Sequence, residues 1–366
     1  MRKIGMLVSL AAAFGMVFAV SITLTKEGTH LLPEDARSMV KVGNYLYIAA
    51  GMQGLLIYDV SDSLNVFPVG AWRPEGDQFT FWPVVRVLEY DGELMVFINK
   101  PNQYKIYFLD ITSPTDPTVD TTWTYDSDKY PRLRDIDILD RFMAIGIYSV
   151  NNSKSGVRLI NLEHLDETSF WWSDTGYNIE GLIVCPRYVV ITQWNEDTDS
   201  GRIVSLEYDE IDGEYLFKKY EYSLGNSHPY DIVRGYINYM DTTTGSFDSP
   251  ETTTVFYVAL DSLIGVYKLL SDGTIDSVGT WEKADTTDHV RQMFRYTDRL
   301  FLCNFEKDST NISGIIVVPI DTATWMPTDT IAVYPARYIR AVWADSTRAY
   351  YIGDMSKGAG TSPAAR

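Results

Sequence analysis

A charged residue returns along this chain about every 48 residues, each time at the start of a short apolar strand pattern that ends in a turn. Counting six positions back from that turn gives Arg37, Arg86, Arg134, Glu180, Asp231, Arg291 and Arg340, with Asp231 placed approximately because its turn is long. The successive gaps are 49, 48, 46, 51, 60 and 49 residues. A repeat of this length suits one four-stranded sheet, which cannot bury both faces alone and must stack against its neighbours. The expected fold is all-β: a seven-bladed β-propeller over residues 22–354, in one domain.

The units support this reading in detail. In the first, RSMVKVGN gives a strand and turn, YLYIAA (45–50) a second strand, GLLIYDV (54–60) a third and FPVGAW (67–72) a fourth. Second strands recur as LMVFIN, FMAIGI, YVVITQ, VFYVAL, LFLCNF and AYYIGD, nearly continuous apolar runs expected to be buried on both faces. Glycines at 54, 156, 201, 265 and 314 precede the third strands, where a tight turn would use positive φ. Fourth strands close on Trp72, Trp123, Trp172, Tyr222, Trp281 and Tyr334, expected to cover outer blade edges. The last unit has only two strands of its own, and ITLTKEGTHLL (22–32) lies where a fourth strand would precede Arg37. The reading is therefore an incomplete last blade, with the ring closed by the N-terminal strand. A disordered Gly/Ser/Ala-rich tail is expected over 355–366.

Residues 1–21 read as a signal peptide: Arg2 and Lys3, then an apolar stretch from Ile4 to Val20 with small residues at Ala19 and Ser21. Export to an extracytoplasmic location (periplasm, cell surface or medium) follows, with no membrane span after cleavage. The formal charge of −18 becomes −20 without the leader, 29 basic residues against 49 acidic. Such a surface repels nucleic acid and anionic lipid. Cys185 and Cys303 fall in units four and six, too far apart on a ring to bridge, and read as buried free thiols.

The pattern GLLIYDVSD with Asn65 and Pro68, YKIYFLDITSPTDPT (104–118) and, more weakly, GVRLINLEH (156–164) resembles the LVIVD-repeat β-propeller family. The resemblance is clear in units one and two, fair in the third and architectural in the rest. It implies a bacterial or archaeal cell-surface or secreted propeller without a general catalytic assignment.

First strands of propeller blades line the central channel, so the seven charged residues should meet at one mouth. Converging guanidinium groups suit carboxylates and phosphates, because each fork donates two parallel hydrogen bonds. The competing reading is that these arginines pair with acids or carbonyls of adjacent blades. Aromatic residues of the same loops (Phe79, Phe81, Trp82, Tyr130, Tyr177, Tyr230 and Tyr338) would wall a funnel suited to a peptide or carbohydrate, or else pack between blades. Trp82, Tyr130 and Tyr230 join the charged residues as candidate ligand contacts.

One alternative is enzymatic. Glu180, His228, Asp231 and His289 could meet on this face and hold a divalent metal with an open position, as in a metal-dependent lactonase or esterase. No spacing motif supports it: Gly-x-Ser-x-Gly, His-Glu-x-x-His and phosphate loops are all absent. Asn195, Asp197, Asp199 and Gly201 imitate a calcium loop, but Leu206 stands where a bidentate Glu is needed, so an acidic hairpin turn is expected. The sequence therefore favours a non-enzymatic, monomeric binding or scaffold module for a protein, peptide or carbohydrate, with no catalytic residue, no cofactor and no resident metal.

Overall fold

The structure, a computed structural model, describes residues 36–353 apart from 63–64, 75–83, 101–102, 127–130, 150–153, 210–214, 240–251, 262, 283–288, 306–313, 331, 336–338 and 347. Among the described residues every regular element is a β-strand, and no helix is long and apolar enough to cross a membrane. The strands form six four-stranded antiparallel sheets and one two-stranded sheet, pairing in chain order within each. The proposed leader (1–21), the closing strand (22–32) and the tail (355–366) lie outside the described residues.

The first strands lie innermost: Ser38–Val42, Val84–Tyr90, Pro131–Leu139, Tyr177–Cys185, Pro229–Tyr239, His289–Tyr296 and Ile339–Ala344. Each approaches the first strand of a neighbouring sheet, which gives the molecule its propeller-like arrangement. Apolar side chains fill the space between successive sheets. Tyr47, Leu55 and Ile57 of the first pack on Val87, Leu94 and Val96 of the second, for example. Second strands are sandwiched as their apolar runs imply; all of Tyr188–Asn195 is buried. Each fully buried Leu or Ile contributes about 1.5–3 kcal/mol, so the inter-sheet layers hold the fold without disulfides.

The two-stranded sheet sits at the seam. Ile339, Val342 and Ala344 pack on Phe301, Ile315 and Val317 of the sixth sheet. Ala341 and Ile352 pack on Met39, Ile48 and Tyr58 of the first. Lys41 pairs with Asp345 at 3.2 Å, and Arg348 donates to the Val60 carbonyl at 2.9 Å. The last sheet thus closes onto the first.

Several local expectations change. Of the glycines before third strands, Gly54 has positive φ (87°), whereas Gly156, Gly201 and Gly265 are not in the left-handed region. Close approach selects them instead: a Cβ on Gly156 would lie 2.7 Å from the Trp171 carbonyl oxygen. The closing aromatics also reach sideways rather than merely capping edges. Trp72 packs edge-on against Tyr107 of the next sheet at 5.1 Å, and Trp123 donates to the Leu165 carbonyl at 2.9 Å. Thr252, Thr253 and Thr254 belong to a strand rather than to the long insertion, whose residues 240–251 are not among those described. Both cysteines are free and buried, and burial pushes the Cys185 thiol up to about 12.

Candidate functional site

The backbone register explains why charged side chains gather at one mouth. In the third, fourth, sixth and seventh sheets the pairing of first and second strands skips one residue of the first strand: Arg134, Glu180, Arg291 and Arg340. A β-bulge leaves the extra residue unpaired and re-aims its side chain. In the second and fifth sheets the skipped residues are Val85 and Tyr230. Arg86 and Asp231 therefore stand one position later in register than the sequence alignment places them. They share that later position with Asp135 of the third sheet and Ser38 of the first.

This later position fastens neighbouring sheets. Its side chain accepts a hydrogen bond from a backbone N–H of the next sheet: Ser38 from Val87 at 3.3 Å, Asp135 from Leu182 at 2.9 Å, Asp231 from Met293 at 2.6 Å. Between the second and third sheets, Arg86 instead donates to Asp135 at 2.5 Å. A second set follows two to three residues along. Asp137 accepts from the Val184 N–H at 2.8 Å and pairs with Arg234 at 3.1 Å, while Arg234 donates to the Ile138 carbonyl at 3.0 Å. These bonds satisfy inner-strand groups that would otherwise be buried and unpaired.

Together the two layers enclose a cavity of about 490 Å³ lined by Arg37, Arg86, Arg134, Asp135, Glu180, Tyr230, Asp231, Arg291, Gln292 and Ile339. Six of the seven predicted charges thus meet; the Arg340 side chain is not among those described, though its neighbour Ile339 lines the wall. Arg37, Arg134 and Arg291 are exposed at the mouth, whereas Asp135 is buried below them. Neither Arg37 nor Arg134 forms an ion pair with another described residue. Arg134 lies 5.3 Å from the Tyr148 ring, a weak cation–π contact.

The acids of the cavity are strongly perturbed. Burial pushes Glu180 up to about 7, against the pull of Arg134 and Arg291. Burial raises Asp231 to about 7 as well, and the nearby Asp135 carboxylate adds to this. Burial also raises Asp135, opposed by Arg86 and the Leu182 N–H. Titratable groups shifted this far in a concave site make it a candidate working surface, though the fastening bonds of Asp135 and Asp231 perturb them too.

One wall is a continuous stack that sequence reading missed. Trp194 lies parallel to His228 at 4.4 Å, His228 parallel to Tyr230 at 4.2 Å, and the Arg291 guanidinium 4.0 Å over Tyr230. The Tyr230 hydroxyl donates to Asp261 at 3.2 Å, and Asp261 also accepts from the His228 backbone N–H at 3.4 Å. His228 is therefore a ring between two rings. Among the described residues no group of three His, Cys, Asp or Glu side chains could hold a metal, and the His289 side chain is not described. Tyr177 turns away from the cavity and lies 3.6 Å beneath Arg202. Phe79, Phe81, Trp82, Tyr130 and Tyr338 fall outside the described residues. The calcium-like segment is a side-chain-capped turn, in which Asn195 accepts from the Asp197 and Thr198 N–H groups at 3.0 and 3.3 Å.

Comparison with known proteins adds fold but not chemistry. No family model matches the chain, and no curated protein matches it. Solved structures do. A protein from Lactobacillus plantarum superposes with a TM-score of 0.56 at 12% identity, over 85% of this chain and 89% of its own. A Bacteroides uniformis protein, provisionally named a 6-phosphogluconolactonase, gives 0.50 at 12% identity, over 84% of this chain and 90% of its own. The chain is a β-propeller.

Proposed function

We propose that this chain is an exported, non-enzymatic binding module whose ligand presents an anionic group to the cavity at the channel mouth. The observation that carries this reading is the convergence of Arg37, Arg134 and Arg291 on a cavity of about 490 Å³, within the size range of small-ligand sites. Arg37 and Arg134 lack a carboxylate partner among the described residues, so their forks are open to a carboxylate or phosphate. Peptide, carbohydrate or protein partners carrying such a group fit; nucleic acid does not suit a net charge of −18. Calorimetric titration with inorganic phosphate and with glutarate tests it. The Arg37→Ala/Arg134→Ala variant should bind at least about tenfold more weakly, at a nearly unchanged melting temperature. Equal binding by variant and parent would overturn the reading.

The finer architecture belongs to the same proposal. Seven blades, the last completed by residues 22–32, would give the two-stranded sheet a further strand and remove a free edge. The first described residue, Ala36, is buried against the seam. Deleting residues 22–32 from the exported form should then lower the melting temperature; an unchanged value would refute closure. The LVIVD resemblance, extracytoplasmic location and monomeric state complete the proposal.

A second reading is hydrolysis of an ester or lactone. Glu180, with its carboxyl near neutrality inside the cavity, has the pKa of a general base. The fold likeness to a provisionally named lactonase is compatible with it. Lactone hydrolysis above the spontaneous rate, lost in Glu180→Gln, would support this reading. The metal-dependent form has no supporting cluster among the described residues.

A further inference from the structure

The cavity has two electrostatic layers, and their order gives a ligand its orientation. Arg37, Arg134 and Arg291 form the exposed outer layer, with Glu180 and Tyr230 between them. Arg86, Asp135, Asp231 and Gln292 form the inner layer one residue further along their strands. Arg86 and Asp135 neutralise each other through their 2.5 Å contact. What remains is three guanidinium groups outside and two carboxyls, Glu180 and Asp231, on the adjacent fourth and fifth sheets. A simple anion would satisfy the arginines and leave both carboxyls, once ionised, facing an acceptor, which is unfavourable in a partly desolvated site.

We infer that the ligand is a small acidic zwitterion, an amino-carboxylate with two carboxylates and one ammonium, bound with the ammonium inward at Asp231, beneath Glu180, and the carboxylates outward at Arg37, Arg134 and Arg291. This rests on the anion-binding reading above and deepens it. Three features support the assignment. With Arg86 and Asp135 cancelled, the remaining lining groups carry three positive and two negative charges when ionised, which complements a ligand of net charge −1. Asp231 already accepts the Met293 N–H and has the Ile232 N–H against it, which fixes the carboxyl, while its four lone-pair sites leave room for a further donor. The Arg291 guanidinium lies 4.0 Å over the Tyr230 ring, a cation–π contact that anchors this cation at the mouth. An ammonium at the inner layer also offsets the repulsion from Asp135, which adds to burial in raising the Asp231 carboxyl.

Calorimetry at pH 8, where Glu180 and Asp231 are largely ionised, tests the assignment with three probes. Glutamate supplies an ammonium and two carboxylates; N-acetylglutamate keeps the carboxylates and removes the ammonium; glutarate has carboxylates alone. The parent should bind glutamate about tenfold or more tightly than either of the others. Asp231→Asn, which can still accept from Met293, should lose that preference while retaining glutarate binding. Glu180→Gln serves if Asp231→Asn does not fold, and should weaken the preference in the same direction. N-acetylglutamate or glutarate binding as tightly as glutamate would overturn the zwitterion and leave the anion site standing. Binding of none of the three probes, nor of inorganic phosphate, would overturn both.

Discussion

Replacing Arg86 by alanine separates a fastening arginine from binding arginines, and its effect can be worked from the geometry. The Arg86 guanidinium meets Asp135 at 2.5 Å, and the Asp135 side chain is 12% exposed. Without Arg86, that carboxylate keeps only the Leu182 N–H as a partner from the adjacent sheet. Removing one member of a buried pair costs about 3–5 kcal/mol. The cavity lies alongside, so water can enter the vacated space, and the low end, about 3 kcal/mol, is the expected loss. At about 2.1 cal/mol/K of unfolding entropy per residue, a span of roughly 320 residues gives about 0.7 kcal/mol/K, so melting should fall by about 4 °C. Arg37→Ala and Arg134→Ala, which break no ion pair among the described residues, should stay within about 0.5 kcal/mol of the parent. Calorimetric melting of the three variants, with Arg86→Ala/Asp135→Asn closing a double-mutant cycle, measures the difference. A coupling energy under about 0.5 kcal/mol, or a loss in Arg134→Ala as large as in Arg86→Ala, would refute the division into fastening and binding positions.

Stability should depend on pH through the cavity acids. Glu180 and Asp231 hold protons up to about pH 7 when folded but release them near pH 4 when unfolded, so their contribution is full below about pH 4 and lost as pH rises through about 7. Denaturant titrations at pH 5 and pH 8 should show lower stability at pH 8, and Glu180→Gln should flatten the difference; an unchanged difference in that variant would contradict the assignment. Tyr230→Leu removes the platform under Arg291 and should weaken glutarate binding several-fold, as read by calorimetry, with the anion's binding enthalpy reduced. Gly156→Ala should destabilise by about 1–3 kcal/mol, because the new methyl meets the Trp171 carbonyl at 2.7 Å; melting measures it. Cys185 and Cys303 should resist thiol reagents in the native protein and react only on unfolding, as both are buried.

How much of this was legible in the sequence follows from which interactions repeat. The inner strands and the clustering of Arg134, Glu180 and Arg291 were readable because one backbone feature recurs in six of the seven described sheets; Arg37 joins them although the first sheet pairs without a bulge. The bulge itself was not readable, since an extra unpaired residue leaves no mark in an apolar pattern. That is why Arg86 and Asp231 were aligned one residue early. Their true register would have been suggested by Asp135, which directly follows Arg134 and made the later position visible as a polar site. The Trp194–His228–Tyr230 stack was hidden for another reason. It joins the end of one sheet's second strand to the start of the next sheet's first strand, residues 34 and 36 positions apart with no periodic relation. The glycines were found, but close backbone approach and positive φ select the same residue, and sequence alone does not distinguish them.

That stack places a buried indole in mechanical contact with the binding mouth. Trp194 is 7% exposed and lines no part of the cavity, yet two intervening rings connect it to the guanidinium that does. Under the proposed binding role, ligand preference could therefore drift through substitutions in the interior, where a change at Trp194 would shift the Arg291 guanidinium without altering any group that lines the cavity.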